Sequence, residues 1–341
     1  MRVLHTQVKR TMEAVCYGPR SLARMMMILV TGATGFVGRR VVAALAAEGR
    51  SVRVLVHSAS HAHALPDYQG DTVEGDVLSP ATLEMACDGV DAVIHLAAVI
   101  RERRAASYQQ INNQGTQNIL AAAEAAGVRK FVHASTVGAT SDPAIPYLYS
   151  RWMAEQEVER SVIPHTIVRF SVGFGEGDEF FNTIAALVKV APIVPVAGDG
   201  KALFQPIAVE DAAKCLVATL DTEALAGQTI EAGGPVLLTY DEIVDLIAET
   251  LGAKIKKLHA PMSVMTAVAV LLETITPRPP VTHGQLKMLR GNSTTDLASV
   301  ETHFGFAPRS PRDNIDYVKR IGLMDAIKVS LGFMPRNVRD H

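Results

Sequence analysis

The 341-residue chain is poor in cysteine and aromatics and has no dominant charge. Cys16, Cys87 and Cys215 stand far apart without C-x-x-C spacing, so neither a disulfide framework nor a cysteine zinc site is implied, and a reducing, cytoplasmic setting fits best. His95 and His133 lie in apolar strand-like runs without matching ligand spacing, and no metal is assigned. The 33 basic residues balance 35 acidic ones without a long run of either sign, which argues against a nucleic-acid footprint. No stretch reaches the ~18 continuous apolar residues of a membrane span. The nearest, Pro261 to Ile275, is too short and reads as a buried or interfacial helix. Residues 1–24 are basic but lack the apolar block of a signal peptide, and are expected to form a flexible extension.

What the chain does have is 48% hydrophobic residues, enough for a large core. From Met25 onward, short apolar runs alternate with alanine-rich helical stretches. The runs are MILVT (27–31), VRVLV (52–56), DTVEG (71–75), DAVIHL (91–96), KFVHAS (130–135) and HTIVRF (165–170). Nearly continuous apolar strands separated by helices indicate a doubly wound parallel α/β sheet of the Rossmann kind over residues 25–170. Past residue 171 glycine and proline clusters break the rhythm. Residues 171–341 read as a smaller, mixed α/β substrate-side region with a helical tail, intertwined with the first.

TGATGFVG lies between the first strand and first helix, the setting a dinucleotide loop needs. Its glycines allow a sharp turn and close approach, and the helix start offers N–H groups to a pyrophosphate. Thr31, Gly32, Thr34, Gly35, Phe36, Val37 and Gly38 are therefore candidate cofactor contacts. The second strand ends in VLVHSASHAH, with no acid for a ribose 2′-hydroxyl until Asp67. His57 and Ser58, with Arg39 or Arg40 nearby, suit a 2′-phosphate, which favours NADP over NAD. His61 and His63 read equally as solvent-facing loop residues.

Together these motifs resemble the short-chain dehydrogenase/reductase superfamily, in its extended and atypical branches, over about residues 26 to 250. The nearest pattern is the NAD(P)-binding epimerase/dehydratase group that includes the nucleotide-binding accessory subunit of respiratory complex I. GDV (75–77), HLAA (95–98), INNQGTQNIL (from 111) and QPIAVEDAA (205–213) carry the likeness. It implies that Asp76 and Val77 meet the adenine, and that Leu96, Ala97, Ala98 and Asn112 lie along the cofactor. It also implies a strand-five hydroxyl, Ser135 or Thr136, followed by a Y-x-x-x-K motif.

Here that motif reads Tyr147 with Arg151, on one helix face. An adjacent cation favours the phenolate of a tyrosine whose ordinary pKa is about 10, and lysine also meets the cofactor ribose. Arginine keeps the charge but releases a proton poorly and presents a planar fork. Tyr147 and Arg151 are the catalytic and cofactor-side candidates. The alternatives are an aromatic packing under the second region and a surface cation pairing with Glu155. Tyr149, His95 and His133 read as packing or satisfied core residues, and Phe174, Phe180 and Phe181 as core or substrate-lining aromatics.

Three functions stay open. One is an NAD(P)-dependent oxidoreductase or epimerase/dehydratase acting on a small carbonyl or alcohol. Another is a non-catalytic NADPH-binding accessory or sensor at a membrane or respiratory complex, docked through residues 261–275. The third, a nucleotide-sugar enzyme, would need cations such as Lys201, Arg278, Lys287 and Arg290 to hold a diphosphate.

Overall fold

Six strands follow the apolar runs closely: Met27–Thr31 (β1), Ser51–Val56 (β2), Asp71–Glu74 (β3), Ala92–His95 (β4), Lys130–Thr136 (β5) and His165–Phe170 (β6). The computed structural model describes residues 26–58, 65, 68–102, 106–276, 279–289, 291–333 and 335. The expected N-terminal extension, Cys16, His61, His63, Asp67, Arg278 and Arg290 lie outside the described residues. With an edge strand, Gln228–Ala232, the six make a seven-stranded sheet in the order β3-β2-β1-β4-β5-β6-edge. All its pairings are parallel.

Successive side chains of a strand face opposite sides, and β1 shows why its run is apolar throughout. Ile28 and Val30 enter one core with Val41 and Leu45 of the first helix, Phe36–Ala47, and Leu216 of the helix Val209–Asp221. Leu29 enters the opposite core with Leu83, Ile119, Phe131 and Val158. The strand order reverses between β1 and β4, which creates a crevice at their carboxyl ends where ligands of such sheets bind.

A third core, around Phe174, Phe181, Ile184, Ile243 and Val318, belongs to the residues after β6. Its helix Tyr240–Leu251 starts with Thr239 and Glu242 exchanging side-chain and backbone bonds and stops at Gly252, whose φ is +64°. Phe181 packs against both Phe174 and Phe180 here, and Phe180 also meets Phe204 and Tyr240. This region is pinned to the sheet side: the Arg40 guanidinium sits over the Phe36 ring and donates to the Glu176 carbonyl. No helix among the described residues is long and apolar enough to cross a membrane.

Asp178 holds the third core to the chain's end. Its carboxylate accepts from the Phe181 amide at 2.6 Å and the Tyr317 hydroxyl at 2.5 Å, and that hydroxyl accepts from the Gly175 amide. Burial nevertheless raises this carboxyl from 3.8 to about 7. The folded chain thus binds the proton more tightly than the unfolded one, so the stability from this group is full below about pH 4 and is lost as pH rises through about 7. Unfolding free energy should fall over that window more steeply in wild type than in Asp178→Asn; equal slopes would refute the assignment. Tyr317→Phe, which removes one donor to a buried carboxyl, should cost about 1–3 kcal/mol in a denaturant titration.

Candidate active site

The glycine loop is shaped by what a side chain would strike. A Cβ on Gly32, whose φ is +66°, would stand 2.7 Å from the Ala97 nitrogen, and one on Gly38 2.1 Å from the Gly32 carbonyl oxygen. The first glycine therefore lets β1 turn against the segment after β4, and the last lets the first helix seat on the loop. Gly35 precedes that helix with no side-chain cap, and no acid occupies its first turn. Its leading N–H groups suit a pyrophosphate, so the loop fits a dinucleotide.

Thr31 works from behind. Its hydroxyl is fully buried, 2.7 Å from His95 Nδ1, and accepts from the Leu96 and Ala97 amides at 3.3 and 3.4 Å. The side chain expected at the cofactor instead joins the β1 and β4 turns. Asn112 differs in the same way. It has no exposed surface; its Oδ1 accepts from the Val99 amide, and its Nδ2 donates to the Val99 carbonyl and to Ser150 Oγ at 2.9 Å. Ser150 in turn donates to the Tyr147 carbonyl. Asn112 thus couples the turn after β4 to the helix that carries Tyr147, and both its polar atoms are spent on that task. It stands in a π-helical turn, Gln109–Gln114, that widens the start of an otherwise α-helical segment.

At the other end of the crevice, Asp76 Oδ1 accepts from the Leu78 amide and its Oδ2 lies 3.7 Å from Nδ1 of the exposed His57. The two residues converge where β2 and β3 end, with Ser58 next in the chain. Val77 is buried, and its side chain packs against Gly115. Leu96 and Ala97 are half-buried and Ala98 is exposed along the turn after β4. Arg40, considered for a 2′-phosphate, is instead engaged with Phe36, Glu176 and Glu210.

The reacting groups sit on β5 and on the helix Pro146–Arg160, where Pro146 opens the first turn and Tyr147 follows. Tyr147 is half-buried, its ring 5.7 Å from that of Tyr108. Tyr108 belongs to none of the sequence motifs; burial and the nearby Glu102 raise its phenol to about 12. Arg151 is buried rather than a surface cation, and it donates to the Ala134 carbonyl. Burial draws its guanidinium below the usual range while Tyr147 and Glu155 pull it back. The alternative of an Arg151–Glu155 surface pair fails because Arg169 holds the Glu155 carboxylate at 2.9 and 2.7 Å.

Ser135 also donates to Glu155, at 2.5 Å, so its hydroxyl is committed inside the fold and not offered to a substrate. Thr136 is half-buried, and its hydroxyl makes only long contacts, 3.4 Å, to the Val137 and Phe170 carbonyls. Glu155 is the residue the motif spacing passed over, although it continues the Tyr147 and Arg151 series by one more helical turn. Tyr149 stacks on Trp152 at 5.9 Å, in the packing role expected. His95 is a satisfied core histidine, between Thr31 and Thr116. His133 is not: neither ring nitrogen has a hydrogen-bond partner, and the ring stacks on His95 at 5.5 Å. Burial, then the Arg151 charge, lowers His95 to about 3 and His133 well below its ordinary value, so both are neutral at physiological pH.

Known proteins agree with this architecture. Ceramide reductase of Caulobacter vibrioides is 31% identical over 246 residues, 72% of this chain and 77% of that protein. Mitochondrial NADH dehydrogenase (ubiquinone) 1 alpha subcomplex subunit 9 of Dictyostelium discoideum is 28% identical over 270 residues, 77% and 74% of the two chains. Photosystem II assembly factor Ycf39 of Synechocystis is 27% identical over 248 residues, 70% and 72%. Among solved structures, UDP-glucuronic acid 4-epimerase of Bacillus cereus with UDP-glucuronic acid and NAD superposes with a TM-score of 0.67 at 22% identity. The superposition covers 87% of this chain and 100% of that one, and it speaks for the fold. Residues 28–233 match the profile of the NAD dependent epimerase/dehydratase family. The chain belongs to that family, as an NAD(P)-binding protein built on a Rossmann-type sheet.

Proposed function

We infer that the protein is an NADP(H)-linked oxidoreductase interconverting a carbonyl and its alcohol. The observation that carries the reading is the half-buried Tyr147 on one helix face with a buried cation, Arg151, near enough to attract its phenolate. The backbone of Gly32, Thr34, Gly35, Phe36, Val37 and Gly38 would hold the pyrophosphate. Asp76 and Val77 would border the adenine, and Leu96, Ala97 and Ala98 the nicotinamide side. Arg39, His57 and Ser58 would meet a 2′-phosphate. Thr31 and Asn112 act as positioning residues for the two turns that flank the cofactor.

The chemistry a bound nicotinamide would supply is hydride exchange at the carbonyl carbon. Thr136 holds the substrate oxygen, and Tyr147 gives it the phenol proton as the carbonyl is reduced. Arg151 stabilises the phenolate left behind, which regains its proton from solvent. The reverse sequence oxidises the alcohol.

One observation favours a second reading, a nucleotide-binding accessory or sensor without turnover. Arg151 is anchored on the Ala134 carbonyl, an arrangement that gives the cation little freedom to serve the ribose or a proton relay as lysine does. The likeness to a respiratory-complex subunit and a photosystem assembly factor supports the same reading.

NADPH oxidation against a carbonyl panel separates the two. Under the first, Tyr147→Phe should lower kcat by about 10²–10⁴-fold while calorimetric NADPH affinity stays unchanged. Wild type that binds NADPH but turns over no carbonyl, with no gain from Arg151→Lys, would sink it. Gly38→Ala should abolish nucleotide binding in the same calorimeter, and unchanged binding would remove the glycine loop from the site. NADPH should bind at least about tenfold more tightly than NADH, a difference of about 1.4 kcal/mol; equal or reversed affinities would withdraw the 2′-phosphate contacts.

A further inference from the structure

The segment Pro261 to Ile275, expected to be a buried or interfacial helix, forms a helix over Met262–Ile275 with only Ala269 buried. Val264, Val268, Leu271 and Ile275 are 51%, 43%, 60% and 66% exposed. Their spacing of four, three and four residues places them on one stripe. Every exposed position of this helix is uncharged. Its sole ionisable residue, Glu273, is turned to His283 at 2.9 Å. At the helix's end Gly332 packs against Thr276, and the neighbouring Leu331 and Phe333 are 59% and 55% exposed.

We propose that this face docks on the surface of an anionic lipid bilayer, with the helix lying in the interface. Two observations select that occupant. The strand Lys256–Ala260 leads into the helix and presents exposed Lys256 and Leu258, with exposed Lys254 just ahead. A basic approach followed by an apolar, uncharged face matches the headgroup-to-acyl order of an acidic membrane. Size is the second. A helix of 14 residues is about 21 Å long and, at about 10 Å wide, offers about 200 Å², far below the ~800 Å² per partner of a stable protein interface.

The docking face ends beside the site. Glu273 lies close enough to Tyr108 to raise its phenol further, and Tyr108 meets Tyr147 ring to ring. If the oxidoreductase reading holds, the substrate it implies is an amphiphile drawn from the bilayer. The surface itself stands independently of that reading.

The test is co-sedimentation of the full chain with vesicles of phosphatidylcholine alone or with added phosphatidylglycerol. Wild type should bind the acidic vesicles, less tightly as salt rises. The double substitution V268E/L271E should weaken binding by more than about tenfold at an unchanged melting temperature, because two apolar contacts become charges. K254E/K256E should remove the preference for acidic vesicles. Absence of wild-type binding, or equal binding by V268E/L271E, refutes the proposal. So does a dimer in sedimentation equilibrium that V268E/L271E dissociates, since that assigns the face to a second copy. Carbonyl reduction in detergent-free solution, measured in parallel, keeps failure of the surface distinct from failure of the activity.

Discussion

A carboxylate with no exposed surface, Glu155, fixes the geometry on which the site depends. Burying such a charge costs several kcal/mol unless it is paired and hydrogen-bonded, so the fold must bring partners to it. Arg169 arrives from β6 with two bonds, and Ser135 arrives from β5 with a third. The helix Pro146–Arg160 is thereby clamped across two adjacent strands at one level. Arg151 lies one turn nearer its start and Tyr147 one turn nearer again, so the depth and rotation of both follow from where Glu155 is held. Arg169 also reaches Glu231 of the edge strand at 3.4 Å, which extends the clamp to the sheet's last member.

Much of this was legible because its physical signals are local. β1, β2 and β4 to β6 are largely buried and so carry apolar runs, whereas the outer strand β3 is mostly exposed; Gly32 and Gly38 stand where any side chain would collide with backbone. The edge strand Gln228–Ala232 went unread, since its alternating exposure leaves no apolar run. The π-helical turn at Gln109–Gln114 was equally hidden, because nothing in its composition distinguishes it from the α-helix that follows. Within the site, residue type and place were readable but side-chain direction was not. Thr31 and Asn112 sit at cofactor-facing positions of the chain yet aim their polar atoms into the fold, and that choice depends on His95, Val99 and Ser150, which are distant in sequence.

Beneath the tyrosine helix the sheet keeps an unusual polar layer. Thr116, His95 and Thr31 form a continuous buried bond series, and His133 stacks on His95 without a bond of its own. A protonated imidazole there would face both desolvation and the Arg151 cation, so the histidines stay neutral. The single positive charge of this layer is therefore Arg151. Its guanidinium donates to the Ala134 carbonyl, and the Glu155 carboxylate and the Tyr147 phenol both favour its charge.

This buried cation has a physical meaning distinct from that of lysine. An ammonium can surrender its proton when desolvated, whereas a guanidinium keeps its charge, so the demand for a counter-charge persists at every physiological pH. Glu155, shared with Arg169, meets it in part; two further groups can add to it, the phenolate that forms when Tyr147 gives up its proton or an anionic portion of a bound ligand. The first makes Arg151 a stabiliser of the reacting state, and the second makes it part of a binding cradle. Ser135 is withdrawn by Glu155 while Thr136 is only loosely held, which leaves the Thr136 hydroxyl to act with the Tyr147 phenol and the permanent Arg151 charge. That set suffices to polarise a carbonyl and protonate its oxygen.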